Sequence, residues 1–389
     1  MLIGVDSHAV GKPGTGNCTY VKGLLMGLSS VDINNSYILY DTAHRTFYSG
    51  LGDRFNVSVL RSPHGLFRYF ASLPVALAAR PVDVLHVQYI LPVGFTARSV
   101  VTIHDLYFEH YPQHYSLAER AFMRWAVRRS AVRADVVITD SQYSKRDLER
   151  RYRLPHDKVV VIPLGVESRF NREQSAVQVG EVRRKYGISG SYVLYVGRTD
   201  DPRKNLSLLI DAYSDLVLGS GCNCQLVIAG KHGPATRALI AKARRLRRGC
   251  VLFPGLVSDD DVPALISGAA VFVYPSFFEG FGLPVLEAMA CGTPVVTSNV
   301  TSLPEVAGDA ALVIDPRERG DLTEALLRCL VDDDLRRRMR ERGLEWSAKY
   351  TWQRTGHETL MVYDQACFGR KQTTLTHERI TLKRDRDHA

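Results

Sequence analysis

Two carboxylates with seven residues between them lie in one glycine-rich stretch of the sequence, residues 277–296. Gly280 and Gly282 lie between Glu279 and Glu287, a composition typical of a strand end, a loop and a helix start. Backbone amides beside such glycines, with the positive end of a helix dipole behind them, form an anion site that suits phosphate. Because carboxylates repel a bare phosphate, we expect both to accept hydrogen bonds from hydroxyls on the same ligand. A sugar nucleotide carries both kinds of group.

A pair of cations follows the apolar run at residues 192–196, in the segment GRTDDPRKN. Arg198 and Lys204 flank a turn that contains Asp200 and Asp201. Two cations at the carboxyl end of a strand can hold a diphosphate and neutralise its charge as it leaves. Cations in loops are often simply solvated, so the residue types alone leave both interpretations open.

A histidine and an aspartate, His104 and Asp105, end the apolar run at residues 100–103. The carboxyl ends of strands form the ligand crevice of doubly wound sheets, so a polar pair at this position is a candidate for ligand contact. The alternative is an aspartate turn with a histidine that only caps the strand.

A glycine-containing loop, GKPGTGN, follows the first apolar run and leads into a helical pattern. The dinucleotide-binding fingerprint is incomplete here, because Thr19 stands where its third glycine would be. The loop is also long for that turn. Gly16 is therefore either part of a phosphate-approaching loop or part of a plain flexible one.

Short apolar runs alternate with amphipathic segments along the chain, which is typical of parallel sheets covered by helices on both faces. The predicted strands of the first half are residues 2–5, 37–40, 57–60, 82–87, 100–103, 136–139 and 159–162. Those of the second half are residues 192–196, 225–229, 251–253, 271–274, 294–297 and 311–314. A chain of 389 residues with 45% apolar composition is too long for one ordinary core. The predicted fold class is α/β, with two doubly wound, Rossmann-like domains.

The carboxylate pair and its surroundings resemble a known family. The spacing of Glu279 and Glu287, the run CGTPVVTS from Cys291 and the run LPEVAGDAALVIDP from Leu303 are similar to the motifs of the GT-B retaining glycosyltransferases of family GT4. The His-Asp-Leu element that begins at His104 resembles the mannosyltransferase branch. The resemblance covers nearly the whole chain, and it implies two Rossmann-like domains that face a central cleft.

The resemblance also implies roles for the candidate residues. It assigns the donor diphosphate to Arg198, Lys204, the Gly16 loop and the backbone of Gly280, Phe281, Gly282 and Leu283. It assigns the ribose to Glu287, and the hydroxyls of the transferred sugar to Glu279, with His104 facing that sugar. Because His104 and Gly16 belong to the first domain, we expect domain closure to complete the catalytic site and exclude water.

The implied activity is a retaining transfer of a sugar, with GDP-mannose as the first choice of donor, to a hydroxyl of a glycan or lipid-linked acceptor in cell-surface polysaccharide synthesis. The alternatives are a GT-B sugar-nucleotide epimerase or phosphorylase, and a transferase that uses a UDP-sugar or a deoxysugar donor. We expect no metal ion and no cofactor besides the sugar nucleotide, which is a substrate.

The predicted domains are an acceptor-side domain at residues 1–167 and a nucleotide-sugar-binding domain at residues 168–350. The resemblance implies that a C-terminal helix at residues 351–369 crosses back to the first domain. Residues 370–389 are polar and basic without periodicity, and we expect a disordered tail there.

The formal net charge of +9 suits nucleic acid, anionic lipid or a phosphorylated substrate, and charge alone does not choose among them. The resemblance favours a sugar nucleotide and a glycan, with no nucleic-acid partner. An arginine-rich helix at residues 117–133 is either a face that contacts anionic membrane or a solvated surface. The sequence has no apolar run near the ~20 residues that cross a bilayer, so we expect a cytoplasmic protein. Peripheral contact at the inner face of the plasma membrane depends on the first interpretation of the arginine-rich helix.

Overall fold

The computed structural model describes residues 1–12, 14–62, 65–221, 223–246 and 249–369. The chain divides into two compact units, Met1–Gly165 together with the segment that starts at Thr351, and Val166–Tyr350. The sequence analysis placed the division after residue 167, two residues beyond the end of the first stretch. The predicted tail at residues 370–389 lies outside the described residues.

The first unit is built on a parallel sheet. In its described residues the sheet has seven strands in the order β3-β2-β1-β4-β5-β6-β7. The strands are β1 Leu2–Asp6, β2 Ser36–Asp41, β3 Phe55–Val59, β4 Val84–Gln88, β5 Arg98–Thr102, β6 Val136–Thr139 and β7 Val159–Val161. The helices of its first stretch are α1 Gly16–Val31, α2 Gly65–Phe67, α3 Leu73–Ala79, α4 Tyr107–His110, α5 Leu117–Arg133 and α6 Gln142–Tyr152.

The second unit repeats this architecture with a smaller sheet. Its described strands follow the order β10-β9-β8-β11-β12-β13, and all of their pairings are parallel. The strands are β8 Ser191–Val196, β9 Cys224–Ala229, β10 Val251–Gly255, β11 Val271–Tyr274, β12 Val295–Ser298 and β13 Leu312–Ile314. The helices are α7 Ala176–Lys185, α8 Leu206–Ser220, α9 Thr236–Ala243, α10 Val262–Ser267, α11 Leu283–Ala290, α12 Leu303–Ala307, α13 Arg319–Val331 and α14 Asp333–Ser347.

Every strand predicted from the sequence is confirmed, with its ends within two residues of the prediction. The reason is physical. Strands of a parallel sheet that is covered on both faces are buried on both sides, so they appear in a sequence as short continuous apolar runs. The central strand β8 shows this pattern, because Tyr192, Val193, Leu194 and Tyr195 are all fully buried.

The last helix, α15 Trp352–Phe368, belongs to the first unit and packs against α1. Glycines allow the two helix backbones to approach closely. A Cβ atom at Gly27 would lie 2.0 Å from the carbonyl oxygen of Trp352, and one at Gly356 would lie 2.6 Å from the carbonyl carbon of Gly27. No larger side chain fits at these positions, so α1 and α15 share one core.

Each sheet has one point at which the strand order reverses, between β1 and β4 in the first unit and between β8 and β11 in the second. Ligands of open α/β sheets bind outside the carboxyl ends of the strands at such a point. The residues that follow β8 and β11, and those that follow β1, β4 and β5, are therefore the first places to look for a site.

Candidate active site

A lysine, a glutamate and a tyrosine form a largely buried polar cluster where the strand order of the second unit reverses. The Nζ atom of Lys204 lies 2.6 Å from Oε1 of Glu279 and 2.7 Å from the hydroxyl of Tyr274. The side chains of Lys204 and Glu279 are only 10% and 12% exposed. We call these three residues the Lys204 cluster. It is an ion pair in which the lysine donates to both partners, in surroundings that screen charge poorly.

The turn after β8 holds Lys204 in place. Asp201 caps a 3-10 turn at Pro202–Lys204, and its carboxylate binds the Arg203 guanidinium at 2.6 Å. Asn205 takes up a left-handed conformation, with φ of 56°, and donates from its side chain to the carbonyl of Pro316 at 2.7 Å. Because the residues on both sides are fixed, the lysine side chain is pre-positioned at the end of the strand.

The glycine-rich loop leads from β11 into α11, as the sequence predicted. Gly282 is the residue before the helix, and its φ of 115° lies in the region that favours glycine. A Cβ atom there would lie 2.7 Å from Cδ2 of Leu303. The helix then begins at Leu283, where first-turn amides have no intrahelical acceptor and the helix dipole is positive. Phe281, in the middle of the loop, is buried.

Two residues at the start of α12 support this loop. The Ser302 hydroxyl donates to the carbonyls of Glu279 and Phe281 at 2.9 Å and 2.7 Å. The Thr301 hydroxyl oxygen accepts from the backbone amide of Glu279 at 3.2 Å. The backbone of Glu279 is therefore fixed independently of its side chain.

The second carboxylate, Glu287, lies on α11 in different surroundings. Burial, and to a lesser degree the negative charge of Glu167, raises the pKa of Glu287 to about 8. Arg169 opposes this shift, while it is itself paired with Glu167 at 3.0 Å. Near neutral pH the Glu287 carboxyl is therefore mostly protonated in the ligand-free protein, whereas Glu279 is paired with a cation.

The second predicted cation, Arg198, is close to the strand end but is largely exposed. Its side chain is 57% exposed and forms a two-bond ion pair with Asp200, each bond 3.2 Å long. An exposed arginine of this kind reorients at little cost, since surface ion pairs contribute only ~0–1 kcal/mol.

In the first unit, His104 lies just beyond the carboxyl end of β5. Its Nδ1 atom lies 2.7 Å from Oδ2 of Asp140, and its Nε2 atom lies 3.0 Å from Oε1 of Gln88. The residue is nearly buried. Burial by itself would lower the pKa of His104, but the carboxylate of Asp140, with Asp105 adding to it, raises that pKa above its ordinary value.

Gly16 is the first residue of α1, and Thr15 caps the helix by accepting from the amide of Cys18 at 3.3 Å. A Cβ atom at Gly16 would meet no other atom within 4 Å, so the backbone there is open to approach. A ligand group could approach the backbone here. Open space at Gly16 does not by itself show that a ligand binds.

The structure thus brings Lys204 and Glu279 into direct contact and places the loop from Gly280 to Leu283 beside them. It pairs Arg198 with Asp200 and surrounds Glu287 with Glu167 and Arg169. Sequence reasoning missed Tyr274, Ser302, Thr301, Glu167, Asp140 and Gln88. Gln88 and Asp140, which each directly follow a predicted strand, carried a positional signal.

Within the part of the chain that the structure describes, no three histidine, cysteine, aspartate or glutamate side chains gather in a way that could hold a metal ion. That metal takes no part in the reaction stays a prediction. The search for membrane spans over the same residues finds no helix with the length and apolar character to cross a bilayer.

Several solved structures share this two-unit α/β architecture. The sucrose-phosphate synthase of Thermosynechococcus elongatus superposes with a TM-score of 0.75 at 21% identity, covering 94% of this chain and 98% of the other. A protein of Anabaena, Alr3699/HepE, solved in complex with UDP-glucose, gives a TM-score of 0.72 at 20% identity and covers 94% and 99%. The fold is therefore that of the GT-B class.

Sequence comparison narrows the class to a family. The family model described as "Glycosyltransferase Family 4" matches residues 20–170. The family model described as "Glycosyl transferases group 1" matches residues 180–346. The O-antigen chain mannosyltransferase B of Escherichia coli is 36% identical over 268 residues, which are 68% of this chain and 70% of that protein. The chain belongs to glycosyltransferase family 4, which confirms the resemblance inferred from the sequence.

Proposed function

We propose that the protein transfers a mannosyl residue from GDP-mannose, with retention of configuration, to a hydroxyl of a growing cell-surface polysaccharide. The similarity to the O-antigen chain mannosyltransferase B supports the sugar and the type of product. The observation that carries the proposal is the Lys204 cluster beside the glycine loop and the start of α11, because it combines a cation, backbone amides and a carboxylate in one place.

The chemistry of sugar transfer fits this combination. As the bond between the sugar and the diphosphate breaks, negative charge builds on the leaving nucleoside diphosphate and positive charge builds on the sugar ring. Lys204, the amides at Gly282 and Leu283, and Arg198 once it leaves Asp200 stabilise the first charge. Because Lys204 and these amides are placed in advance, they stabilise the transition state more than the bound donor.

The two carboxylates take different parts of the donor. Glu279, fixed through its backbone by Thr301 and Ser302, accepts hydrogen bonds from hydroxyls of the transferred sugar. Glu287 accepts from the ribose hydroxyls, and this interaction is strongest when its carboxyl is ionised. An epimerase or a phosphorylase of this fold would use a different set of reacting groups. An epimerase would isomerise the sugar with no acceptor, and a phosphorylase would need only inorganic phosphate in place of a glycan.

A UDP-sugar is the second candidate donor, because the Anabaena structure of the same fold contains UDP-glucose. The residues at the diphosphate and sugar do not distinguish the two bases. Measurements of binding with GDP-sugars and UDP-sugars distinguish them.

Thermal denaturation with a panel of sugar nucleotides tests the donor. In the presence of EDTA, GDP-mannose at a hundredfold excess over its Kd is expected to stabilise the protein by about 2.7 kcal/mol, visible as a rise in melting temperature. UDP-glucose, ADP-glucose and dTDP-rhamnose are expected to give smaller shifts. Lys204→Met is the matched control and should abolish the shift. If no sugar nucleotide raises the melting temperature, the transferase proposal fails; a larger shift with UDP-glucose would replace the donor.

We also propose that α5 rests on anionic membrane when the protein meets a lipid-linked acceptor. Leu117, Trp125 and Val132 are 85%, 52% and 50% exposed on this helix. Arg128 and Arg133 are exposed among them. Apolar side chains interleaved with cations are typical of helices that lie at a lipid interface.

Vesicle flotation tests this contact. The protein is expected to float with phosphatidylcholine vesicles that contain phosphatidylglycerol and to stay behind with pure phosphatidylcholine. Replacing Arg128 and Arg133 by glutamine should weaken binding about thirtyfold, at ~1 kcal/mol for each cation near an anionic surface. The matched control, glutamine at Arg338 and Arg342 on α14, removes the same charge elsewhere and should bind as the wild type does. Equal loss in both variants would exclude α5 as the contact.

A further inference from the structure

Two buried histidines lie on neighbouring strands of the first unit, and their hydrogen-bond partners differ in kind. His86, on β4, contacts two hydroxyls, Tyr363 at 2.7 Å through Nδ1 and Thr102 at 2.8 Å through Nε2. A hydroxyl can donate or accept, so a neutral imidazole satisfies both contacts. Burial lowers the pKa of His86 to about 3, and the nearby charge of His104 contributes to this shift. His86 is therefore neutral.

His104 faces two acceptors instead. Oδ2 of Asp140 is a carboxylate oxygen, and Oε1 of Gln88 is an amide carbonyl oxygen. Neither atom can donate a proton while Asp140 is ionised. Both ring nitrogens of His104 must then carry hydrogen, and this is the imidazolium form.

We infer that Asp140 and Gln88 are positioning residues that hold His104 as an imidazolium cation at neutral pH. The geometry assigns this role through two distances, 2.7 Å to Asp140 and 3.0 Å to Gln88. Both residues end the strands that flank β5, since Gln88 is the last residue of β4 and Asp140 directly follows β6. The fold itself therefore places one acceptor on each side of the ring.

The surroundings of Asp140 support a carboxylate dedicated to this histidine. Asp140 is 2% exposed. Among the described residues its second oxygen, Oδ1, is buried and has no hydrogen-bond partner. A buried carboxylate costs much free energy unless it is paired, so the bond to a charged His104 is the interaction that compensates it.

The other groups that face the His104 ring do not disfavour its positive charge. Asp105, on the same loop, favours the cation. The Tyr20 ring from α1 meets the imidazole edge-on at 4.6 Å, and Tyr89 does so at 5.7 Å. Burial raises the pKa of Tyr20 well above its ordinary value, so that side chain stays neutral. His86, on the neighbouring strand, is uncharged and does not repel a proton on His104.

One alternative has a distinct signature. If the Gln88 amide were rotated by 180°, its NH₂ group would donate to Nε2, and His104 would be a neutral imidazole with its proton on Nδ1. The two arrangements differ by one proton on Nε2. Nitrogen and proton NMR of the imidazole rings detects that proton directly.

The first experiment is an NMR titration of the histidine rings in the ligand-free full-length protein. The wild type is expected to show His104 as an imidazolium at pH 7, with a pKa above the ordinary 6.5, while His86 stays neutral as an internal control. In Asp140→Asn the carboxylate is lost and burial remains, so the pKa of His104 should fall below 6.5. Gln88→Leu should give a smaller fall. A neutral His104 in the wild type at pH 7 overturns the inference.

The second experiment asks whether the charge serves the transfer, and this step rests on the proposed function. Positive charge at this strand end favours an anionic ligand such as the nucleoside diphosphate. In Asp140→Asn, kcat/KM should therefore fall by about tenfold for each pH unit above the lowered pKa of His104. The kcat/KM of the wild type should stay level over the same pH range. A loss that is the same at every pH would mean that Asp140 acts only in folding. The NMR result stands whatever the donor panel shows, so the two proposals fail separately.

Discussion

Replacing Glu279 by glutamine is expected to lower kcat by about a hundredfold to a thousandfold, the range seen when one charge-stabilising group is removed from an active site. Glutamine has nearly the same shape, and the backbone of residue 279 is held by Thr301 and Ser302, so the loop should remain in place. What is lost is the negative charge that pairs with Lys204 and that we propose to receive the hydroxyls of the sugar. Single-turnover measurements at saturating donor test this.

A double-mutant cycle separates catalysis from stability. Lys204→Met leaves Glu279 as an unpaired and largely buried charge, a change that costs about 3–5 kcal/mol when a buried pair is broken. Adding Glu279→Gln removes that charge, and the melting temperature of the double variant should recover part of the loss. Activity should not recover with it. If transfer in Glu279→Gln stays within threefold of the wild type, Glu279 is not the residue that receives the sugar.

Donor affinity is expected to rise with pH because of Glu287. Its pKa is raised to about 8 by burial and by Glu167, so the ionised form, which we propose to accept hydrogen bonds from the ribose, is scarce at lower pH. The ionised fraction rises from about 1% at pH 6 to about half at pH 8, so the affinity for a sugar nucleotide should increase by up to about fiftyfold over this interval. Calorimetry in buffers of different ionisation heat should also show proton release below pH 8.

Two variants make this result specific. Glu287→Gln should bind donor weakly and with no pH dependence between pH 6 and 8. Glu167→Gln removes a negative charge that raises the pKa of Glu287, so its affinity curve should move to lower pH and its binding at neutral pH should improve. A sugar nucleotide is the right ligand, because its diphosphate is esterified at both ends and does not titrate in this range. An unchanged curve in Glu167→Gln would contradict the proposed coupling.

The stability of the fold should depend on Glu287 in the opposite direction. Its carboxyl has a higher pKa in the folded state than the ordinary value of 4.5, so the folded protein binds more protons than the unfolded chain. The free energy of unfolding therefore decreases as the pH rises from 4.5, the ordinary pKa, through about 8. The pH that favours donor binding is thus the pH at which the empty site is least stable.

The strands and both domains could be predicted from the sequence, because burial on both faces leaves a local signature in each strand. The residues of the glycine loop could also be predicted, since the spacing between Glu279 and Glu287 is local. The partners of these residues could not. Tyr274 closes an apolar run and looks like one more core residue, yet its hydroxyl binds a lysine seventy positions earlier in the chain.

The same limit applies to charge states. Glu279 and Glu287 look equivalent in the sequence, but one pairs with Lys204 and the other is buried near Glu167, which lies far before it in the chain. His104 is 36 residues from Asp140 and 16 from Gln88, and only the strand order brings them together. Sequence patterns identify which residue types are available. The topology decides which of them are ionised.

The packing of α15 against α1 has a consequence for how the protein is made. The second unit, Val166–Tyr350, is continuous in sequence, so it can fold as soon as its last strands and helices leave the ribosome. The first unit cannot be completed at that time, because the helix that packs against Gly23 and Gly27 is synthesised after the second unit. Although its sheet emerges first, the amino-terminal unit is expected to reach its final state after the unit that follows it, and a ribosome stalled before Thr351 would carry one finished unit and one still exposed to chaperones and proteases.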